Sequence, residues 1–156
     1  MSEIDIDELR KNFGRRLRIG FIGGGRDSVI GGTHLAAMRV DGFFELYAGV
    51  FSIDPTVSEA TARAEFLDAD RVYESFNEMA EKEALREDGI EVVLIAAPPH
   101  IHFEAAKVFL TKGIDVICEK PVAVSREQAS QLDDLAQQYS RLFCLTHCYT
   151  GLSLIH

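Results

Sequence analysis

The chain has 156 residues, 47% of them hydrophobic, which is enough for one domain with a substantial core. Its 16 basic and 25 acidic residues give a net charge of -9, which argues against a nucleic-acid partner because neutralising phosphates requires clustered Lys and Arg. The chain contains no 18-residue apolar run, and its first residues, MSEIDIDELR, are acidic where a secretion signal is basic, so we expect no membrane partner and a cytoplasmic location.

Strands and helices are predicted to alternate along the chain. The first element is a short amphipathic helix within residues 1–16, for which we expect a packing role. Predicted strands follow at 18–22, 44–51, 71–73, 91–97, 114–118 and 142–147. One predicted helix begins soon after Gly32, and the others cover 55–67, 76–87, 100–112 and 125–139. Short turns join them, which is typical of an α/β protein with a doubly wound parallel sheet in the strand order 3-2-1-4-5-6.

The turn after the first strand is rich in glycine. Glycines let backbone N–H groups approach a pyrophosphate closely, and the N-terminus of the next helix adds a partial positive charge. In the dinucleotide fingerprint G-x-G-x-x-G, Gly23 and Gly25 supply the first two glycines, and a longer loop displaces the third to Gly31. An ordinary glycine-rich turn is the alternative. We call this turn and the start of the next helix the glycine corner. Its predicted cofactor residues are Gly23, Gly24, Gly25, Ile30 and Gly31.

Three turns are predicted to meet at one edge of the sheet. Ligands of such sheets lie beyond the carboxyl ends of the strands, where the strand order reverses. The glycine corner, the Ala97-Pro98-Pro99 turn and the Glu119-Lys120-Pro121 turn all follow strands at this point. We therefore expect them to form one crevice.

These three segments, in this order and spacing, resemble the nucleotide-binding half of the Gfo/Idh/MocA family of glucose-fructose oxidoreductase and inositol dehydrogenase. The resemblance covers residues 17–151, which we assign to a dinucleotide-binding Rossmann domain. Its most specific part is VVLIAAPPHIHFEAAKVFLTKGIDVICEKPVA, at 92–123, which is similar to a strand ending in T-P-N-x-x-H, a helix, and a strand ending in E-K-P. The family implies an NAD- or NADP-dependent dehydrogenase or reductase that acts on sugars, inositols or related polyols.

The resemblance also implies roles for the third turn. Lys120 matches the lysine of E-K-P, which implies a catalytic ammonium group near the reacting carbon that polarises a carbonyl or relays the hydroxyl proton. Glu119 is expected to hold the charge and position of Lys120, and Pro121 to fix the turn. An ordinary surface pair of Glu119 and Lys120 is the alternative.

The second turn departs from the family pattern. Ala97-Pro98-Pro99 stands where the family has T-P-N, and Pro99 has no amide to donate, so we expect Ala97 and Pro98 to contact the cofactor through backbone shape alone. His102 matches the histidine of the pattern. Contact with cofactor or substrate and a packing or capping role are both open for it.

The end of the second strand bears on cofactor choice. A carboxylate there bonds the ribose 2′-hydroxyl and selects NAD. This chain has Ser52 and Ile53 at that position, with Asp54 slightly past it. Since Ser52 tolerates a 2′-phosphate, we expect NADP to be accepted at least as well as NAD.

Other residues that could carry chemistry are given structural roles. We expect His34 to support the glycine loop and Arg26 to be an exposed loop arginine, with contact to a phosphate as the alternative role of Arg26. The three cysteines are odd in number, so reduced thiols are expected. Cys144, His147 and Cys148 lie in a strand and its exit, where side chains alternate between faces, so no metal site is predicted.

The chain ends where the family pattern continues into a substrate-binding domain. We expect a truncated chain in which 152–156, LSLIH, is foreign sequence. Such a chain would bind cofactor with negligible turnover, and a homo-oligomer, if one forms, would use the missing domain. A non-catalytic dinucleotide-binding module, regulatory or scaffolding, is the alternative function. Another Rossmann-type enzyme, such as a methyltransferase, is disfavoured because methyl transfer has no use for Lys120.

Overall fold

The computed structural model describes residues 11, 14–26 and 28–148. Almost all of the predicted N-terminal helix, and the tail at 152–156, lie outside the described residues. The strands of the described part are β1 (Leu17–Gly23), β2 (Phe44–Val50), β3 (Val92–Ala96), β4 (Asp115–Glu119) and β5 (Phe143–Thr146). Its α-helices are α1 (Val29–Asp41), α2 (Pro55–Ala64), α3 (Phe76–Glu83), α4 (Pro99–Thr111) and α5 (Arg126–Gln138).

All neighbouring strands of the sheet are parallel, in the order β2-β1-β3-β4-β5. Every residue of β3 is buried, as expected for a central strand covered on both faces. Residues that alternate along β3 enter different cores: Val93 and Ile95 face α3, α4 and α5, whereas Val92, Leu94 and Ala96 share the other core with residues of α1 and α2. The predicted doubly wound α/β fold is therefore confirmed.

The third predicted strand, at 71–73, is not a strand of this sheet. Ala69–Arg71 form a 3-10 turn, and Val72 makes a single parallel bridge with Gly49, at the outer side of β2. The flanking side chains explain the difference, because both bond to a carboxylate of α3. The Arg71 guanidinium lies 2.9 Å from Glu83, and the Tyr73 hydroxyl donates to Glu83 at 2.6 Å.

The first helix begins earlier than predicted. Ser28 caps α1 by accepting a hydrogen bond from the N–H of Gly31, so Gly31 and Gly32 lie inside the first turn of the helix and not before it. Pro55 is the first residue of α2, as predicted, and Asp54 caps this helix. These caps place the N-termini of both helices at the edge where β1 and β2 end.

An ion pair at the opposite edge predicts a pH dependence of stability. Glu91 accepts two hydrogen bonds from the Arg15 guanidinium, at 2.6 and 2.8 Å, and one from the backbone N–H of Arg18. The bonds from Arg15 outweigh burial and lower the pKa of Glu91 to about 2. Because the folded state holds this pKa below its ordinary value, its contribution is present above about pH 4.5 and is lost as the pH falls towards 2.

We expect the free energy of unfolding, measured by urea denaturation, to fall between pH 5 and pH 2.5. In Glu91→Gln this free energy should fall by less over the same pH range, because the variant lacks the carboxylate that is protonated. Glu87→Gln, at an exposed position on the preceding turn, serves as the control and should retain the wild-type slope. An identical slope for Glu91→Gln and the wild type would contradict the prediction.

Candidate active site

The glycine corner is a turn that only glycine can form. Gly23 and Gly24 have φ angles of 75° and 66°, in the left-handed region. A Cβ on Gly23 would lie 2.5 Å from the carbonyl oxygen of Ala96, at the end of β3. A Cβ on Gly31 would lie 2.2 Å from the carbonyl oxygen of Gly24. Gly31 therefore allows α1 to pack directly on the corner, which is the task of the third glycine in the fingerprint.

Short hydrogen bonds hold the loop between this corner and α1. The N–H of Ser28 donates to the carbonyl of Gly25 at 2.7 Å, and the N–H of Arg26 donates to the Thr61 hydroxyl of α2 at 3.0 Å. Arg26 is exposed, as predicted, and Ile30 is 36% exposed at the start of α1. Sequence reasoning missed Thr61, because nothing local to it indicates a partner 35 positions away.

The donors at this corner fit an anionic group. Within the described part of the chain, no residue accepts a hydrogen bond from the backbone N–H groups of Gly24 and Gly25. The first N–H groups of a helix also lack partners within the helix, and those of α1 lie at the same corner. This donor set suits the pyrophosphate of a dinucleotide, since phosphates bind at helix N-termini through backbone N–H groups.

The end of β2 lies beside the glycine corner. A Cβ on Gly25 would lie 3.0 Å from the carbonyl oxygen of Phe51. Just beyond, the Ser52 hydroxyl accepts from the N–H of Asp54 at 3.1 Å, and the Asp54 carboxylate accepts from the N–H of Thr56 at 2.8 Å. The Asp54 carboxylate, which follows this strand end in the sequence, therefore caps α2.

A buried histidine joins the second corner, which is the Ala97-Pro98-Pro99 turn, to the third corner, which is the Glu119-Lys120-Pro121 turn. His102 is 1% exposed; its Nε2 lies 2.8 Å from the carbonyl oxygen of Ala97, and its Nδ1 lies 2.7 Å from that of Pro121. A neutral imidazole donates to only one of these oxygens, whereas the imidazolium donates to both. Pro98 is the N-cap of α4 and Pro99 its first residue, one position before the predicted start of this helix at residue 100.

The third corner centres on the Glu119 carboxylate, which is 6% exposed. It lies 2.8 Å from His34 Nε2 and accepts the backbone N–H of Lys120 at 3.2 Å. Burial opposes ionisation of Glu119, but the proximity of the Thr146 hydroxyl and the hydrogen bonds with His34 and the Lys120 N–H outweigh it and lower the pKa of the carboxyl. The Lys120 side chain is exposed at this edge, and the Lys120-Pro121 peptide bond is cis.

Two findings at this corner differ from the sequence analysis. His34 was expected to support the glycine loop, yet its imidazole bonds to Glu119 and packs edge-on against Phe21, with ring centroids 6.4 Å apart. Thr146, at the end of β5, was not singled out at all. Each partner comes from a distant strand or helix, so periodicity along the chain could not indicate it.

The three corners therefore lie together at the carboxyl ends of β1, β3 and β4. The bond from His34 to Glu119 spans from the glycine-corner helix to the turn that carries Lys120, and His102 links the remaining turn. Among the described residues, no group of His, Cys, Asp and Glu could hold a metal ion. Nor does any helix of the described part have the length and apolar character needed to cross a bilayer.

The cysteines near this edge are free. Cys118 is buried, and burial, followed by the charge of Glu119, raises the pKa of its thiol to about 12. Cys144 and Cys148 are exposed. The Cys118 thiol is therefore protonated and not nucleophilic at neutral pH.

Comparison with known proteins identifies relatives of this chain. The sequence profile of GFO_IDH_MocA, described as an oxidoreductase family with an NAD-binding Rossmann fold, matches residues 17–147. The chain is 36% identical to the oxidoreductase YfiI of Bacillus subtilis over 140 residues, which are 89% of this chain and 36% of that protein.

Two solved structures are similar over most of the chain. An oxidoreductase from Sinorhizobium meliloti is 44% identical, with a TM-score of 0.81 over 88% of this chain and 38% of that one. An inositol dehydrogenase homologue from Azotobacter vinelandii, complexed with NADH and myo-inositol, is 36% identical, with a TM-score of 0.86 over 90% of this chain and 37% of that one. The chain thus spans between a third and two fifths of the length of these relatives.

Proposed function

The chain belongs to the Gfo/Idh/MocA oxidoreductase family, with its NAD-binding Rossmann fold, and from that premise we propose that it binds a nicotinamide dinucleotide across its three corners. The observation that carries the proposal is that the glycine corner, the Ala97-Pro98 turn and the Glu119-Lys120-Pro121 turn lie at one sheet edge, joined by two histidines. Carboxyl ends of parallel strands at the reversal of strand order are where ligands of this fold bind.

The residues of each corner take different parts of the cofactor. The glycine corner and the start of α1 at Ile30 hold the pyrophosphate through backbone N–H groups. Gly31, whose own N–H is bonded to the Ser28 hydroxyl, lets the helix approach the corner closely. Ser52 lies toward the adenosine ribose. The nicotinamide end lies beside Ala97, Pro98 and Glu119. His102 acts on this end through the two carbonyls that it holds, since its own ring is buried.

Lys120 is the residue that we assign to catalysis. When bound, the cofactor supplies or accepts the hydride. Lys120 is exposed at the same edge. In carbonyl reduction its ammonium group donates a hydrogen bond to the reacting oxygen and supplies the proton, and in alcohol oxidation its neutral amine takes up the proton of the hydroxyl group. The proposed substrate is a sugar, an inositol or a related polyol, a class that includes the myo-inositol bound to the Azotobacter homologue.

The 156 residues alone are proposed to bind cofactor with negligible turnover. The described corners form one wall of a crevice, and hydride transfer also needs a wall that binds substrate and excludes water. A non-catalytic dinucleotide-binding module remains the alternative, favoured by Pro99, which has no amide to offer the cofactor. Steady-state oxidation of myo-inositol by this chain would contradict the proposal of negligible turnover.

The cofactor preference is proposed to be permissive. The carboxylate of Asp54 is engaged by the N–H of Thr56, and Ser52 adds no charge beside the glycine corner. A hydroxyl group at that place accommodates either a ribose hydroxyl or a 2′-phosphate. We therefore propose that NADP(H) is accepted at least as well as NAD(H).

Fluorescence titration of the purified chain with NADH and NADPH tests this preference. We expect Kd for NADPH to be equal to or below that for NADH, and Ser52→Asp to weaken NADPH selectively, by about tenfold, through repulsion of the 2′-phosphate. Ser130→Asp adds the same charge at an exposed position of α5 and should change neither Kd. Much tighter binding of NADH by the wild type would overturn the preference.

A further inference from the structure

We propose that His34 is a positioning residue for Lys120, which it controls through the Glu119 carboxylate. The inference rests on the proposed function, because the turn being positioned is the one assigned to the nicotinamide end. It concerns a contact between two elements that are far apart in sequence, α1 and the end of β4. His34 itself is not assigned a contact with cofactor or substrate.

The bond between His34 and Glu119 is shielded from water. Their side chains are 16% and 7% exposed, and Nε2 lies 2.8 Å from Oε1. The edge of the His34 ring packs near Phe21 of β1, whose side chain is completely buried. Packing against Phe21 on one side and the hydrogen bond to Glu119 on the other hold the imidazole in one orientation. The bond is therefore a buried structural contact and not a surface ion pair.

The same carboxylate orients the backbone of Lys120. Its other oxygen, Oε2, accepts the N–H of Lys120 at 3.2 Å. Thr146 lies opposite Glu119 on β5, and its hydroxyl donates to the carbonyl of Cys118 at 3.3 Å. A buried carboxylate requires several donors, because an unsatisfied charged oxygen is costly. Without His34, Oε1 would have no buried partner and the carboxylate would rotate toward water, which would release the bond between Oε2 and the Lys120 N–H.

The position of His34 also connects this turn to the phosphate corner. His34 lies one turn beyond Gly31, on the helix whose N-terminus is proposed to hold the pyrophosphate. Any shift of α1 relative to β4 is therefore transmitted to the Lys120 turn by one hydrogen bond. The two ends of the dinucleotide are held in register by that contact.

A first experiment uses the chain without cofactor. In His34→Ala we expect the backbone amide of Lys120 to exchange with deuterium at least about tenfold faster, and its proton resonance to move, because its acceptor is released. His34→Gln, which keeps a side-chain N–H donor, should restore most of the protection. Thr33→Ala is the matched control, since its hydroxyl bonds only within the helix, to the carbonyl of Val29.

A second experiment compares NADH with ADP, which lacks the nicotinamide half. His34→Ala is expected to weaken NADH by about tenfold and to leave ADP within about twofold, with His34→Gln between. An unchanged Lys120 amide, or equal weakening of NADH and ADP, would overturn the inference. Failure of the wild type to bind NADH would instead contradict the proposed function, and the amide measurement is read independently of it.

Discussion

Gly31→Ala is expected to reduce the affinity for NADH about ten- to a hundredfold. The added Cβ would lie 2.2 to 2.6 Å from three backbone atoms of Gly24, and backbone cannot turn aside as a flexible side chain can. The clash must be relieved by opening the corner between β1 and α1. Overpacking of this kind costs about 1–3 kcal/mol, and the same strain opposes the closed corner that binds phosphate. Isothermal titration with NADH measures the loss.

The next residue provides the matched control. A Cβ on Gly32 would have no atom within 4 Å, so Gly32→Ala removes a glycine from the same helical turn without a clash. It should bind NADH as the wild type does and raise the free energy of unfolding by about 0.5–1 kcal/mol, because alanine is the better helix former. Wild-type affinity in Gly31→Ala would contradict the role given to this glycine.

Glu83→Ala is expected to lower the free energy of unfolding by about 3–5 kcal/mol. The carboxylate is 1% exposed and is bonded by Arg71, the Tyr73 hydroxyl and the backbone N–H of Ile90. Its removal leaves the hydroxyl and the N–H without their acceptor, and the buried guanidinium loses this carboxylate while it keeps its contacts with Asp88 and the Tyr47 ring. Burial, and then the bond to Glu83, raises the pKa of Tyr73 well above its usual value, so the phenol remains a donor.

Urea denaturation measures this loss, with Glu81→Ala as the control. Glu81 lies on the same helix and is exposed, so its replacement should change stability by less than about 0.5 kcal/mol. The loss expected for Glu83→Ala is a large part of the total stability of a domain this size, about 5–15 kcal/mol. Equal stability of the two variants would show that the buried pair is not a stabilising element.

Much of the fold could be predicted because buried parallel strands leave a strong local signal. The continuous apolar run that ends at Ala97 is followed by two prolines, and the strand that ends at Gly23 is followed by glycines, so both strand ends could be predicted to within one residue from their neighbours. The displaced third glycine could also be predicted, since Gly31 packs on the corner despite the longer loop.

What could not be predicted depends on contacts between distant residues. Residues 71–73 have the composition of a strand, but Arg71 and Tyr73 bond to Glu83, and no local pattern indicates that partner. In the same way, the sequence predicts that His34 supports the glycine loop, because its partner Glu119 lies 85 positions away and leaves no local signal. In both places a buried carboxylate that needs donors determines the contact, and at residues 71–73 it also overrides the local strand propensity.

The central claim is that one sheet edge of this chain binds a nicotinamide dinucleotide, and it is tested most directly by mapping NADH on the backbone amides by NMR. We predict saturable shifts at Gly24, Gly25, Gly31 and Lys120, with Glu91 and Asp115, at the opposite edge, unchanged. Shifts confined to the opposite edge, or no saturable shift with either NADH or NADPH, would contradict the claim.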